Sequence, residues 1–304
     1  VFSIAAWMAC SSLAIGETPS QPSPHSSIAV LPERATLLRN PGPVDGLVQP
    51  LPDDGPRQEG QSSGIDGLAW QEGQSAYRKN AWPEAQRFFG KIVKEHPESP
   101  LAPSAKAFLV EILLRDEVSG KTRSEAIQAY KTLLRDHPQS PNARRAEWRI
   151  ADLYYKQGAL QEAQAFYENA MAHSVNLPFD SNRALLGLGY TFMAMGKWSD
   201  AEHAFANVRK RSEDEQLLQG ATLGLAHALF RAQRFSEAQP IYNLSYQRWP
   251  HLLRGDPLSL QRYAVTQVKL HQEASARELM LLFYNLYPRH EYAPSALLHV
   301  AEGL

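Results

Sequence analysis

An alanine followed four residues later by a large side chain recurs six times in this chain, and that spacing constrains its fold more than any other feature. The pairs are Ala85 with Phe89, Ala126 with Tyr130, Ala163 with Tyr167, Ala201 with Phe205, Ala238 with Tyr242 and Ala276 with Met280. The intervals between the alanines are 41, 37, 38, 37 and 38 residues. Twelve residues before most of them stands another small residue: Gly73, Ala151, Gly189, Ala226 and Ala264. Two helices cross closely only where side chains are small, so one small residue in each marks the contact of an antiparallel pair. Each unit is therefore expected to be a helical hairpin. A lone hairpin cannot bury its apolar face, whereas a stack of them can, and the chain is expected to be an all-α solenoid of about six hairpins.

Prolines punctuate the units. Pro97, Pro138, Pro250 and Pro288 each fall twelve residues after a marker alanine, where proline ends the second helix because it cannot continue one. The stretches KEHPESPLAPSA (94–105) and RDHPQSPNARRA (135–146) repeat that stop and then open the next hairpin at Ala105 and Ala146. Pro288 and Ala296 keep the same spacing, so a seventh hairpin is expected to open at Ala296. Its apolar stripe of Leu297, Leu298, Val300 and Ala301 would lack a covering helix, which implies that the natural chain continues past Leu304. Gly158 and Gly196 suit the helix C-termini at the turns, and the second unit carries four extra residues in EVSGKTRSEA.

Over about residues 68 to 304 these features resemble the tetratricopeptide repeat family. The matching signatures are a small residue and an aromatic in the first helix (Ala151 with Tyr154, Gly189 with Phe192), the alanine and large residue of the second, and the closing proline. The chain departs from the family in three ways. The early tryptophan is absent from its usual slot, the third and fourth units lack the closing proline, and the period exceeds the common length of about 34 residues. The long period and the stretch EHPESPLAPSAKAFL are similar to bacterial envelope members, namely the periplasmic coordinator of the Tol-Pal system and the lipoprotein of the outer-membrane β-barrel assembly machine.

The resemblance implies a superhelix whose concave groove is lined by the first helix of each unit. The groove-facing positions would be Trp70, Tyr77, Trp148, Tyr155, Leu186, Tyr190, Leu223, His227 and Phe230. Aromatic rings there offer large contact area at low entropy cost. The same rings also suit packing between neighbouring units, and both roles remain open at this stage. The function implied is a non-catalytic scaffold that binds a protein or peptide partner. Two alternatives stand beside it: a recruitment region for a catalytic part beyond Leu304, and a structural subunit of a secretion, pilus or polysaccharide-export assembly.

The N-terminal residues are of another kind. VFSIAAWMACSSLAIG (1–16) is an uncharged apolar run, too short for a membrane span of about twenty residues and suited to the core of an export signal. Val1 is preceded by neither a methionine nor a basic stretch, so a few residues of the natural start are expected to be missing. Two processing sites compete. Ala14-Ile15-Gly16 would place cleavage before Glu17, while Trp7-Met8-Ala9-Cys10 resembles a bacterial lipobox with Cys10 as the lipidated residue. A buried N-terminal helix with an inert thiol is the third reading. Residues 17–66 hold nine of the 21 prolines among Ser, Gly and Asp and are expected to be a disordered tether, with SIAVLP and GLVQPLP as short apolar motifs within it. The solenoid would then occupy residues 67–304, in a periplasmic or outer-membrane-associated protein whose contact with a membrane would run through the lipid alone.

Several chemistries are excluded or weak. Lys plus Arg number 31 against 32 Asp plus Glu, so no basic field exists for a phosphate backbone, and nucleic acid is not an expected partner. The single cysteine, Cys10, rules out a disulfide framework and a cysteine zinc site. Ser119 to Thr122 reads SGKT, but Arg115 occupies the place of the first phosphate-loop glycine. His96 and His137 precede closing prolines where other units carry Trp249 and Tyr287, so that slot asks for a flat ring. The charged stretch RKRSEDE at 209–215 fits a solvated turn between units, or else a polar docking rim. No catalytic residue, metal ligand set or cofactor site is expected.

Overall fold

The computed structural model describes residues 64–116 and 120–302. The segment 1–16, Cys10 and nearly all of the tether lie outside the described residues, as do the last two residues of the chain. Among the described residues there are fourteen α-helices and no strand. Helices α1 (Ile65–Arg78) and α2 (Trp82–Glu95) form the first hairpin, α3 (Ala102–Asp116) and α4 (Gly120–Asp136) the second, and α5 (Pro141–Gln157) and α6 (Leu160–His173) the third. The fourth pairs α7 (Pro178–Met195) with α8 (Trp198–Arg211), and the fifth α9 (Glu215–Arg231) with α10 (Phe235–Arg248). A five-residue helix, α11 (Pro250–Arg254), precedes the sixth hairpin of α12 (Pro257–Lys269) and α13 (Glu273–Leu286). Helix α14 (Ala293–Glu302) then packs on α13 as the first helix of a seventh.

The alanine marker works as the spacing predicted. All six marker alanines lie on second helices and are fully buried, and each residue four positions on is buried beside it. The large ring rests on the small residue of the first helix. A Cβ added at Gly73 would lie 2.8 Å from Cε1 of Phe89, and one at Gly189 2.6 Å from Cε1 of Phe205. The ring also reaches the following hairpin. A Cβ at Gly224 would lie 2.7 Å from the same Phe205 atom, and one at Gly187 2.3 Å from the Tyr167 ring. Each second helix thus touches its own first helix and the next one, which makes the core continuous along the stack.

Five of the hairpin turns share one backbone geometry. The residue five positions before the marker alanine is left-handed: Asn80 (φ 58°), Gly158 (78°), Gly196 (76°), Gln233 (59°) and His271 (55°). In each, the following N–H donates to the carbonyl five residues back: Ala81 to Ala76, Ala159 to Tyr154, Lys197 to Phe192, Arg234 to Leu229 and Gln272 to Gln267, at 2.9–3.0 Å. This closure satisfies the last carbonyls of the first helix. The second unit differs. Its second helix has 17 residues where the other five have 14, and it begins at Gly120 within the extra sequence.

The His-Pro stretches make a second recurring turn. The N–H of Ser99 donates to the His96 carbonyl, Ser140 to His137 and His290 to Tyr287, with proline in the second position that its fixed φ favours. The next helices begin at Ala102, Pro141 and Ala293, somewhat ahead of the expected Ala105, Ala146 and Ala296, which lie buried one turn in. Pro250 acts differently, opening α11 at its first position, where a missing N–H costs nothing.

Candidate functional site

The first helices form a layer of their own: α3 packs on α5, α5 on α7, α7 on α9 and α9 on α12. All nine expected groove residues lie on this layer or on α1, and all are buried, from Leu186 at 0% exposure to His227 at 9%. Trp70 and Tyr77 converge on Phe108 of α3, at ring-centroid distances of 5.6 and 4.9 Å, and Phe108 stacks on Phe89 at 4.9 Å. Trp148 donates its indole N–H to Asp180 at 3.2 Å, with the guanidinium groups of Arg149 and Arg183 4.5 and 4.7 Å from its ring. Tyr190 donates to the Gly220 carbonyl at 2.9 Å and lies edge-on to Phe205. Phe230 packs edge-on to Phe235, and Tyr155 and Leu223 are buried in α5 and α9.

Charged side chains that the sequence did not single out lie among these rings. Arg183 of α7, 1% exposed, donates Nη2 to Oδ2 of Asp152 on α5 at 2.6 Å, and the Tyr167 hydroxyl of α6 donates to the other carboxylate oxygen. Burial, with the Asp152 charge beside it, pushes the Tyr167 phenol well above its ordinary pKa, so it serves as a donor and not as a base. One hairpin earlier, Glu111 of α3 binds Arg149 of α5 at 3.2 Å and accepts from the Tyr130 hydroxyl.

The contact between the fifth and sixth hairpins is more polar. The Ser259 hydroxyl donates to Asp256, which also caps α12 by accepting the Ser259 N–H, and Nε2 of His227 lies 3.1 Å from the Ser259 oxygen. With that hydroxyl proton committed to Asp256, the imidazole is the donor and carries its proton on Nε2. Burial, followed by the Arg262 charge, holds the His227 pKa well below the ordinary histidine value. Gln239 of α10 donates to Gln267 and Gln272 across the same seam. A sequence signal for this difference existed. Two positions before the small residue of the first helix stand Gly187 in the fourth unit and Gly224 in the fifth, but Arg149 in the third and Arg262 in the sixth.

The layer also changes along its length. Every residue from Asn182 to Thr191 in α7, from Gly220 to Phe230 in α9 and from Ser259 to Gln267 in α12 is buried. In α1 and α3 buried positions are interspersed with exposed or half-buried ones, including Gln74, Arg78, Ala107 and Arg115. Among the described residues no three His, Cys, Asp or Glu side chains are grouped to hold a metal ion, and no helix is long and apolar enough to cross a membrane. What the arrangement offers chemically is a buried aromatic layer threaded with paired charges.

Residues 119–172 and 186–252 match a sequence model described as a tetratricopeptide repeat, and residues 69–99 match a second model of the same description. No curated protein matches the chain. Among solved structures, PilF of Pseudomonas aeruginosa superposes with a TM-score of 0.61 at 18% identity, over 78% of this chain and 96% of PilF. PilW, described as a widely conserved type IV pilus biogenesis factor, gives 0.58 at 17% identity, over 77% of this chain and 98% of its own. Cut9–Hcn1, described as an APC/C hetero-tetramer, gives 0.58 at 15% identity, over 77% of this chain and 42% of that one. At such identities the likeness is one of fold.

Proposed function

Because the chain belongs to the tetratricopeptide repeat family, a family of protein-interaction scaffolds, we propose that it is a non-catalytic scaffold of the bacterial cell envelope that binds a protein or peptide in its concave groove. The observation that carries this is the layer of first helices packed on one another from α3 to α12, in which successive hairpins each contribute large apolar side chains. Aromatic groups so arranged are the usual anchors of an interface. Export is supported by the apolar segment 1–16 and the proline-rich tether, and Cys10 would hold the protein at a membrane if it is lipidated. The fold shared with PilF and PilW supports an envelope setting, and it also favours a second reading, a subunit of a pilus-type assembly.

Crosslinking in intact envelopes followed by capture tests both. The scaffold reading expects a discrete partner whose binding weakens by more than about 1 kcal/mol in Trp148→Ala and in Tyr155→Ala, measured where each variant is still folded. Loss of binding no greater than the loss of folded protein would place the partner surface elsewhere. Copurification with a large assembly in fixed stoichiometry would favour the subunit reading.

A further inference from the structure

We infer that the first two hairpins carry a recognition site for an acidic side chain of a peptide, built from Arg115, Tyr77 and Trp82; this rests on the groove reading proposed above and names the chemistry of the partner. The site begins with a stacked cation. Arg115, in the last turn of α3, holds its guanidinium 4.6 Å from the ring of Trp82 at the start of α2 and 5.6 Å from that of Tyr77 near the end of α1. The two rings meet edge-on at 5.2 Å, and Phe108 of α3 lies 4.9 Å from Tyr77. Stacking uses the face of a guanidinium and leaves its N–H edge, the fork that grips a carboxylate with two parallel hydrogen bonds. Arg115 is exposed and has no ion pair among the described residues, while Glu111, one turn back on α3, is taken up by Arg149 and Tyr130.

The Tyr77 hydroxyl is a second unused donor. Tyr77 is 8% exposed, and its buried oxygen makes no hydrogen bond of ordinary geometry. Burial raises its pKa, so at neutral pH it is a phenol able to donate. An unpaired buried hydroxyl is a standing cost, which an oxygen atom taken between it and the Arg115 fork removes, with the exposed Arg115 side chain shifting to admit it. One fork and one neutral donor match the single charge and two oxygens of a carboxylate, and would leave a phosphate dianion half neutralised. A second copy of the stacked pair shows what packing alone requires. Trp198 at the start of α8 carries Arg231, from the last turn of α9, at 4.5 Å. Between these copies the third hairpin has Leu160 in the place of the tryptophan and the fourth has Ala194 in the place of the arginine, so the two members come and go together. At the second copy the arginine is half-buried, and Met193, four residues after Gly189, stands where Tyr77 follows Gly73. Stacking is common to both seams, whereas the exposed fork and the unpaired hydroxyl belong to the first.

The test titrates the full chain with hexaglutamate capped at both ends, at low ionic strength, and follows the indole N–H signal of Trp82. A saturable shift is expected. Binding should be about tenfold weaker in Arg115→Gln and about threefold weaker in Tyr77→Phe, which keeps the ring against Phe108. Arg231→Gln removes the other stacked guanidinium and should leave the affinity unchanged. The absence of a shift in the parent, or undiminished affinity in Arg115→Gln, would overturn the site. Equal weakening in Arg115→Gln and Arg231→Gln would do so too, because it would report net charge alone. So would an equal response to inorganic phosphate, or a response confined to hexaglutamine with a free C-terminal carboxylate. The envelope partner separates this site from the groove reading. If hexaglutamate binds at Arg115 while the captured partner is indifferent to Trp148→Ala and Tyr155→Ala, the site stands and the groove reading falls. Partner loss in those two variants without any hexaglutamate binding would do the reverse.

Discussion

The seam between the fourth and fifth hairpins and the seam between the fifth and sixth are built on one repeat pattern and held in different ways. In the first, Phe205 fills a slot walled by Gly189 on one side and Gly224 on the other, with the Tyr190–Gly220 hydrogen bond and the Arg234–Glu202 ion pair beside it. In the second, the position matching Gly224 is Arg262, buried, and the contact runs through His227, Ser259, Asp256 and a cluster of three glutamines. Helix α11 is inserted there as well. Dispersion in a close-packed slot is insensitive to pH, whereas a buried polar seam depends on the protonation of its members. One architecture can therefore carry a rigid joint and a condition-dependent joint side by side.

Three measurements would break or sharpen this contrast. The largest effect is expected from Phe205→Ala, which empties the slot between two glycines and should cost about 3–5 kcal/mol in urea unfolding. Because neighbouring hairpins support one another, the transition should also split into two. A loss under about 1 kcal/mol would mean that the fourth and fifth hairpins hold together without that ring.

Next in size is Gly224→Ala. The new methyl would meet Phe205 at 2.7 Å, and the overpacking should outweigh the gain in helix propensity, leaving a net loss of about 1–2 kcal/mol. Gly90 is the control, since a Cβ there meets nothing within 4 Å, and Gly90→Ala should gain about 0.5–1 kcal/mol. If both variants shift the midpoint in the same direction, the glycine slot is not the cause of the tight seam.

The smallest effect belongs to the polar seam. The His227 imidazole stays neutral in the folded chain, while the unfolded chain takes up a proton near the ordinary value of 6.5. Its stabilising contribution is therefore complete above about pH 6.5 and is lost as the pH falls below it, by up to about 1.4 kcal/mol per pH unit. His227→Gln keeps a donor toward Ser259 and should flatten that slope. His137, also held low by burial and by Lys106, contributes to the slope in both proteins and cancels in the difference. Identical slopes with and without His227 would show that the polar seam does not respond to pH.

The parts of this fold that were legible in the sequence are those fixed by local sterics. A fully buried alanine beneath a crossing helix has no substitute of another size, so Ala85 to Ala276 mark the period wherever they occur. Proline stops were visible for the same reason. The Arg183–Asp152 pair was not, because its members lie 31 residues apart on helices of adjacent hairpins and meet only once the stacking register is set. Left-handed backbone was anticipated at Gly158 and Gly196 but not at Gln233, whose side chain gives no sign of it. The groove residues show the same limit. Periodicity places Leu186, Tyr190 and Phe230 on first helices, but their burial depends on partners such as Gly220, Phe205 and Phe235 that the stacking brings to them.

The shared turn has a consequence for how such a chain can lengthen or shorten. At five turns the backbone takes the same left-handed step five residues before the marker alanine, whether Asn, Gly, Gln or His stands there. A left-handed non-glycine residue costs on the order of 1 kcal/mol, and the packing on either side overrides that cost. The turn is thus dictated by the hairpin and not by its own residue. A hairpin of 37 or 38 residues can then keep its internal turn when the turn residue changes, whereas its exchange as a cassette is limited by the joints between hairpins, which differ: a proline turn follows the first, second and sixth, and α11 is inserted after the fifth. The second unit differs within the hairpin as well, with a longer α4 that starts at Gly120.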